Sequence, residues 1–183
     1  MLWILLASLL VIADQLTKGL VLANDVLTNG GRITIIDNFF HLIFTVNRGA
    51  ALSFLADTEW GIYVLTAISF IVGIAVAGLL WRQRYGMKLF SLTLALILGG
   101  TVGNLIDRVR MGGVVDFLDF QFGSWHFPTF NIADSSLTIG AVLLIILFIA
   151  AGDRIEHELS TPARRYRTDE AAAAPAAEAS DDV

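Results

Sequence analysis

Residues 61–81, 89–106 and 135–152 contain no Asp, Glu, Lys or Arg. A further apolar stretch opens the chain: Met1 to Ala13 are uncharged, and beyond Asp14 and Lys18 the hydrophobic pattern resumes to about Ala23. At about 1.5 Å rise per helical residue, runs of about 18–21 residues cover roughly 27–32 Å, one hydrocarbon core each. The pattern therefore predicts an all-α membrane protein of four transmembrane helices. The composition agrees: 56% of residues are apolar and 16% charged, against about 45–50% and about 25% in soluble domains.

The first run also has a reading as a cleaved signal peptide, with Val21-Leu22-Ala23 as a small-residue cleavage site. However, no Lys or Arg precedes it, and Asp14 and Lys18 interrupt what would be its apolar core. We expect it to be retained as a span. Lys and Arg in the flanks set the orientation. Arg82, Arg84 and Lys88 follow the second run, and Arg154, Arg164, Arg165 and Arg167 follow the fourth. Both termini are expected to be cytoplasmic, with loops 24–59 and 108–131 outside. A membrane domain over residues 1–155 is followed by a Pro, Ala and acid tail, 156–183, expected to be cytoplasmic and disordered.

The first outer loop has strand character. Arg32-Ile33-Thr34-Ile35-Ile36 and His41-Leu42-Ile43-Phe44-Thr45-Val46 are β-branched and aromatic, and Asn29-Gly30-Gly31 signals a turn. A small extracytoplasmic hairpin or sheet is expected, then a short interfacial helix through Ala50–Ala56. The second outer loop carries Phe117, Phe120, Phe122, Trp125, Phe127 and Phe130, which read as an interfacial aromatic belt.

Several chemistries are disfavoured. The chain has no cysteine, hence no disulfide, thiolate nucleophile or zinc-thiolate site. His41, His126 and His157 have no metal-ligand spacing, so no catalytic metal is expected. The net charge is −5, but Asp169, Glu170, Glu178, Asp181 and Asp182 lie in the tail, so nothing suggests nucleic-acid binding.

Polar groups gather at one depth. Asp14 and Lys18 fall in the outer half of the first span, Asn104 and Asp107 close the third, and Asn131 and Asp134 open the fourth. Ionisable groups near lipid are costly and usually mark function. Asp14 and Lys18, four apart on one helix face, form either a self-satisfied ion pair or a site for a substrate or lipid group. Asn104, Asp107 and Arg108 share a quadrant suited to pinning the helix end. Gly99, Gly100 and Gly103 make a small-residue face of the kind that packs helices closely. Asn131 and Asp134 are favoured helix caps. Beyond a glycine break at Gly112-Gly113, the loop delivers a further acid, Asp116, to the same rim. Two carboxylates facing one water in a low-dielectric pocket share a proton. One then acts as base towards the water while the other, protonated, hydrogen-bonds a scissile carbonyl.

These stretches carry a resemblance. Asp14-Gln15-Leu16-Thr17-Lys18, Asn47-Arg48-Gly49-Ala50-Ala51, the run from Gly99 through Asn104-Leu105-Ile106-Asp107-Arg108 to Val115-Asp116-Phe117, and Phe127-Pro128-Thr129-Phe130-Asn131-Ile132-Ala133-Asp134 appear in order. Together they resemble the bacterial prolipoprotein signal peptidase, or signal peptidase II, family over about residues 1–155. The resemblance implies an aspartic endopeptidase of the cytoplasmic (inner) membrane that needs no cofactor and works near the outer face. It implies cleavage just before a diacylglyceryl-modified cysteine in prolipoproteins, in contact with membrane lipid. Asp116 and Asp134 would be the catalytic pair. Asp14, Lys18, Asn47, Gly100, Asn104, Asp107, Arg108, Asn131 and Ala133 would line or brace the site. A four-span unit with its own site is expected to act as a monomer. Leu52 stands where the family pattern suggests an aromatic, and the tail has no counterpart. Two rivals remain: a Ser–Lys protease with Lys18 as base and Ser53 or Ser135 as nucleophile, and a proton- or cation-coupled transporter, although no internal repeat is present.

Overall fold

A computed structural model describes residues 2–49, 60–83 and 87–160. The expected short helix over Ala50–Ala56 and the tail beyond residue 160 lie outside the described residues. The elements, in chain order, are α1 (Leu2–Leu22), α2 (Asp25–Thr28), β1 (Ile33–Ile36), β2 (Phe40–Asn47), α3 (Gly61–Arg82), α4 (Lys88–Met111), β3 (Val114–Phe122), β4 (Trp125–His126) and α5 (Ile132–Ser160). Four helices, α1, α3, α4 and α5, are long and apolar enough to cross a membrane, as the four apolar runs predict.

The most enclosed of the four is α4, which packs against α1, α3 and α5. Glycines permit the approach. A Cβ on Gly99 would come within 2.8 Å of Leu10 Cβ on α1, and one on Gly100 would run into the Ala133 carbonyl oxygen of α5. On α5, a Cβ on Gly140 would sit 2.7 Å from Ile97 Cγ1. The small-residue face is thus a packing seam, the role such faces commonly play between membrane helices. Ala7, Leu80, Phe90, Leu94, Ala95, Leu147 and Ile155 form the buried apolar cluster within the bundle. The last helix continues past the boundary expected at residue 155. It bends where Ala151 leaves helical geometry (φ −149°, ψ 33°), and Ile155 then returns to the core.

Where α4 stops, Gly112 adopts the left-handed conformation (φ 65°) and donates its N–H to the Arg108 carbonyl at 3.1 Å. Only glycine enters that region without penalty, which makes it the usual helix terminator. The chain then turns directly into β3. This strand was not expected from the sequence. It pairs antiparallel with β2 (Thr45 opposite Asp116, Val46 opposite Val115, Asn47 opposite Val114) to give a four-stranded sheet of order β1-β2-β3-β4. The expected hairpin of β1 and β2 forms, but its turn is Asp37–Phe39, with Asn38 at φ 58°. Asn29-Gly30-Gly31 instead ends α2, where Gly31 donates to the Val26 carbonyl at 2.8 Å.

Val21, Leu27, Val115 and Phe117 are buried between the sheet and the ends of α1 and α2. The rings expected to form a belt largely contact one another. Phe120 stacks on Phe40 (4.7 Å between centroids) and Phe130 (5.8 Å), and Trp125 meets Phe122 and Phe127 edge-on or tilted. Sheet and aromatic cluster cap the end of the bundle at which α1 and α4 finish and α3 and α5 begin.

Candidate active site

Three helices and two strands deliver polar side chains to that end. The foundation is Lys18, only 2% exposed. Its Nζ lies 2.8 Å from Asp14 Oδ2 and 2.7 Å from Asp107 Oδ2, and donates to Asn104 Oδ1 at 3.1 Å. All three donors of the ammonium are engaged. The predicted pair of Asp14 and Lys18 exists, and it also spans from α1 to α4. Both acids have further duties. Asp14 Oδ1 accepts the Ala133 N–H at 2.9 Å, neutralising a free amide at the start of α5. Asp107 Oδ2 accepts the Val115 N–H at 3.1 Å, fixing the start of β3. Gln15, absent from the expected site residues, donates to Asp107 Oδ1 at 2.9 Å and to the Gly103 carbonyl at 3.2 Å.

On this foundation two asparagines orient the candidate acids. A lysine can only donate, so Asn104 turns its oxygen to Lys18 and its amide nitrogen to Asp134 Oδ1, at 2.7 Å. Asn131 begins α5 in the same manner. Its Oδ1 accepts the Asp134 N–H at 2.8 Å, leaving its Nδ2 to donate to Asp116 Oδ1 at 2.8 Å. The second oxygen of each acid is also held: Asp116 Oδ2 by Asn47 Nδ2 at 3.2 Å, and Asp134 Oδ2 by the Asn131 N–H at 3.2 Å.

Asp116 and Asp134 line one cavity of about 310 Å³, together with Asn47, Asn104 and Arg108. Gly49, Val114, Phe127, Pro128, Thr129 and Phe130 complete its wall. The Asp116 carboxyl is pushed up to about 7, first by burial and then by the negative charge of Asp134. The hydrogen bonds from Asn47 and Asn131 and the charge of Lys18 offset part of that rise. An acid in this condition exchanges its proton near neutrality, the property required of a general acid or base.

The expected residues thus divide. Asn47, Asn104, Arg108, Asp116 and Asp134 face the cavity. Asp14, Lys18, Asp107 and Asn131 brace those groups from behind, while Gly100 and Ala133 set the spacing of α4 and α5. A Lys18 with all its protons held by acids and an amide is unsuited to the role of base in a Ser–Lys pair. Ser135 Oγ, moreover, donates to the Asn131 carbonyl at 3.0 Å; Ser53 lies outside the described residues. Two of the histidines, His41 and His126, converge on Asp119, with Nδ1–oxygen distances of 3.5 and 3.0 Å. Among the described residues no group of three or more His, Asp or Glu side chains is arranged to hold a metal ion.

Fold and cavity define a class: multi-pass membrane proteins that keep a buried polar site at one end of the helical bundle. The family model described as signal peptidase (SPase) II matches residues 6–150. The lipoprotein signal peptidase of Cupriavidus taiwanensis is 43% identical over 147 residues, 80% of this chain and 81% of its own length. That of Janthinobacterium sp. is 46% identical over 144 residues, 78% of this chain and 85% of its own. Two bacterial membrane enzymes solved by the in meso method superpose with TM-scores of 0.66 and 0.64, at 34% and 33% identity. They match 81% and 80% of this chain and 93% and 87% of their own. The chain belongs to the signal peptidase II family, and is accordingly a membrane-embedded protease.

Proposed function

We propose that this protein removes the signal peptide from prolipoproteins, cutting before the diacylglyceryl-modified cysteine, with Asp116 and Asp134 as an aspartic catalytic pair. The observation that carries this reading is the shared cavity, which both carboxylates line and in which they are oriented through Asn104 and Asn131. Two buried acids that repel one another hold a single proton between them. The ionised member takes a proton from a water molecule as the water oxygen bonds to the scissile carbonyl carbon. The protonated member hydrogen-bonds the carbonyl oxygen and stabilises the charge that develops there. Collapse of the tetrahedral adduct breaks the C–N bond, and the departing amine takes up a proton from the pair.

The substrate is anchored in lipid, so a cavity where the bundle meets its capping sheet suits it. The cluster of Lys and Arg after α3 and after α5 supports cytoplasmic termini in a bacterial inner membrane, with the cavity near the outer face. In this reading the protein acts as a monomer, in contact with membrane lipid and without nucleic acid or cofactor. Residues 1–155 hold the whole machinery.

The test is the mass of a diacylglyceryl-modified precursor before and after exposure to the purified protein in detergent. Wild type should release the signal peptide, and Asp116→Asn and Asp134→Asn should each reduce the rate at least about a hundredfold while remaining folded. Appreciable cleavage by either variant would overturn the aspartic assignment.

A further inference from the structure

Arg108 lines the cavity beside both acids, yet among the described residues it forms no ion pair with any carboxylate. Its Nε is buried without an acceptor. A guanidinium on a long flexible stem must be aimed by something, because its fork of donors is useful only in one plane. The contact that aims it comes from α3: Arg108 Nη1 donates to Ser69 Oγ at 3.3 Å.

Two hydroxyls of α3 are used differently. Thr66, one turn earlier on α3, bonds back to the Ile62 carbonyl at 2.7 Å, as Ser and Thr inside helices tend to do. Ser69 reaches across to α4 instead, and is half-buried between two largely apolar helices. Among the described residues none from α3 lines the cavity itself. Among the described residues Ser69 is therefore the polar link that joins α3, the least enclosed span, to a residue of the cavity wall.

The geometry points to Ser69 as a positioning residue that holds the Arg108 guanidinium at the cavity, leaving its remaining N–H groups free for the oxygen of the bound peptide chain. This rests on the peptidase reading above and extends it to a helix from which that reading names no residue. An arginine aimed by a fixed acceptor stabilises charge developing on a carbonyl oxygen without reorganising first. Loss of the acceptor should therefore fall on kcat more than on KM.

The experiment compares purified full-length wild type, Ser69→Ala, Ser69→Thr, Arg108→Lys and the Ser69→Ala/Arg108→Lys double variant on a diacylglyceryl-modified precursor. We expect Ser69→Ala to lower kcat about fivefold to tenfold, the effect of one hydrogen bond of ordinary strength, with little change in KM. Ser69→Thr should restore most of the rate, and the double variant should be no slower than Arg108→Lys alone. A Ser69→Ala enzyme with wild-type kcat overturns the proposal. So do losses that multiply in the double variant, since Ser69 would then act through helix packing rather than through Arg108. The ¹⁵N signals of the arginine side chains read the same contact without turnover. Rotation of the Arg108 guanidinium about Nε–Cζ should be slow in wild type and faster in Ser69→Ala. If wild type fails to cleave, the peptidase reading falls and this measurement alone decides the Ser69 contact; equal rotation rates overturn it.

Discussion

Asn131 and Asp134 hold each other at the start of α5: Asn131 Oδ1 accepts the Asp134 N–H at 2.8 Å, and Asp134 Oδ2 accepts the Asn131 N–H at 3.2 Å. This reciprocal arrangement is a capping box built from an amide and a carboxylate. It leaves Asp134 Oδ1 for Asn104 and Asn131 Nδ2 for Asp116. Helix capping and site orientation, which the sequence offers as competing explanations, are carried out by different atoms of the same two side chains.

Asn131→Ala should therefore impair two things at once. Loss of the cap costs about 1 kcal/mol of stability, and Asp116 loses its 2.8 Å donor. Cleavage should fall by more than the melting temperature suggests, at least tenfold, roughly the effect of one such bond. A variant destabilised to that extent but fully active would separate Asn131 from the chemistry.

Stability should depend on pH through Asp116, and the sign follows from its raised value. Below the ordinary carboxyl value of 3.8 it is protonated both folded and unfolded, so it contributes no pH dependence. Between 3.8 and about 7 the folded protein retains a proton that the unfolded chain has released. Stability therefore falls as pH rises through that window, and the penalty is complete above it. The thermal midpoint in detergent should decline over this range in wild type and decline less in Asp116→Asn. A midpoint that rose instead would contradict the burial described here.

Lys18→Met should be among the most damaging single changes. It strands Asp14 and Asp107, both nearly inaccessible, and removing one partner of a buried ion pair typically costs about 3–5 kcal/mol. Adding Asp14→Asn should recover part of the loss, because one uncompensated anion disappears. Thermal melts of the three proteins read both effects.

At Gly100 an added methyl would collide with the Ala133 carbonyl and come within 2.7 Å of Leu137 Cγ. Gly100→Ala should push α5 from α4, cost about 1–3 kcal/mol and reduce cleavage by displacing Asp134. Gly78→Ala is the control. Its Cβ meets nothing within 4 Å, so it should be neutral or gain up to about 1 kcal/mol.

The apolar runs reveal the spans because lipid imposes one requirement along the length of each segment. The hairpin of β1 and β2 is legible for a similarly local reason, its run of β-branched and aromatic residues. β3 is not. Its partner lies some seventy residues earlier, it is buried on both faces near its start, and Asp116 and Asp119 lower its strand propensity. Its phenylalanines read as a membrane belt until β2 supplies the pairing. Asp116 and Asp134 could be picked out by depth and motif, but Gln15 and Ser69 could not. Nothing about a glutamine beside Asp14, or a serine within an apolar span, indicates which neighbour it will meet.

The Asp14–Lys18 contact lies within one helix, and this bears on how the protein is made. When α1 leaves the ribosome, the residues that carry Asp107 have not yet been translated. An isolated ammonium would resist partitioning into the bilayer, whereas a cation with its counter-ion one turn away enters as a nearly neutral unit. The first segment can therefore settle in the membrane early and wait for α4 to complete the triad. Separating the two charges by moving the acid along α1 should hinder biogenesis before it hinders catalysis.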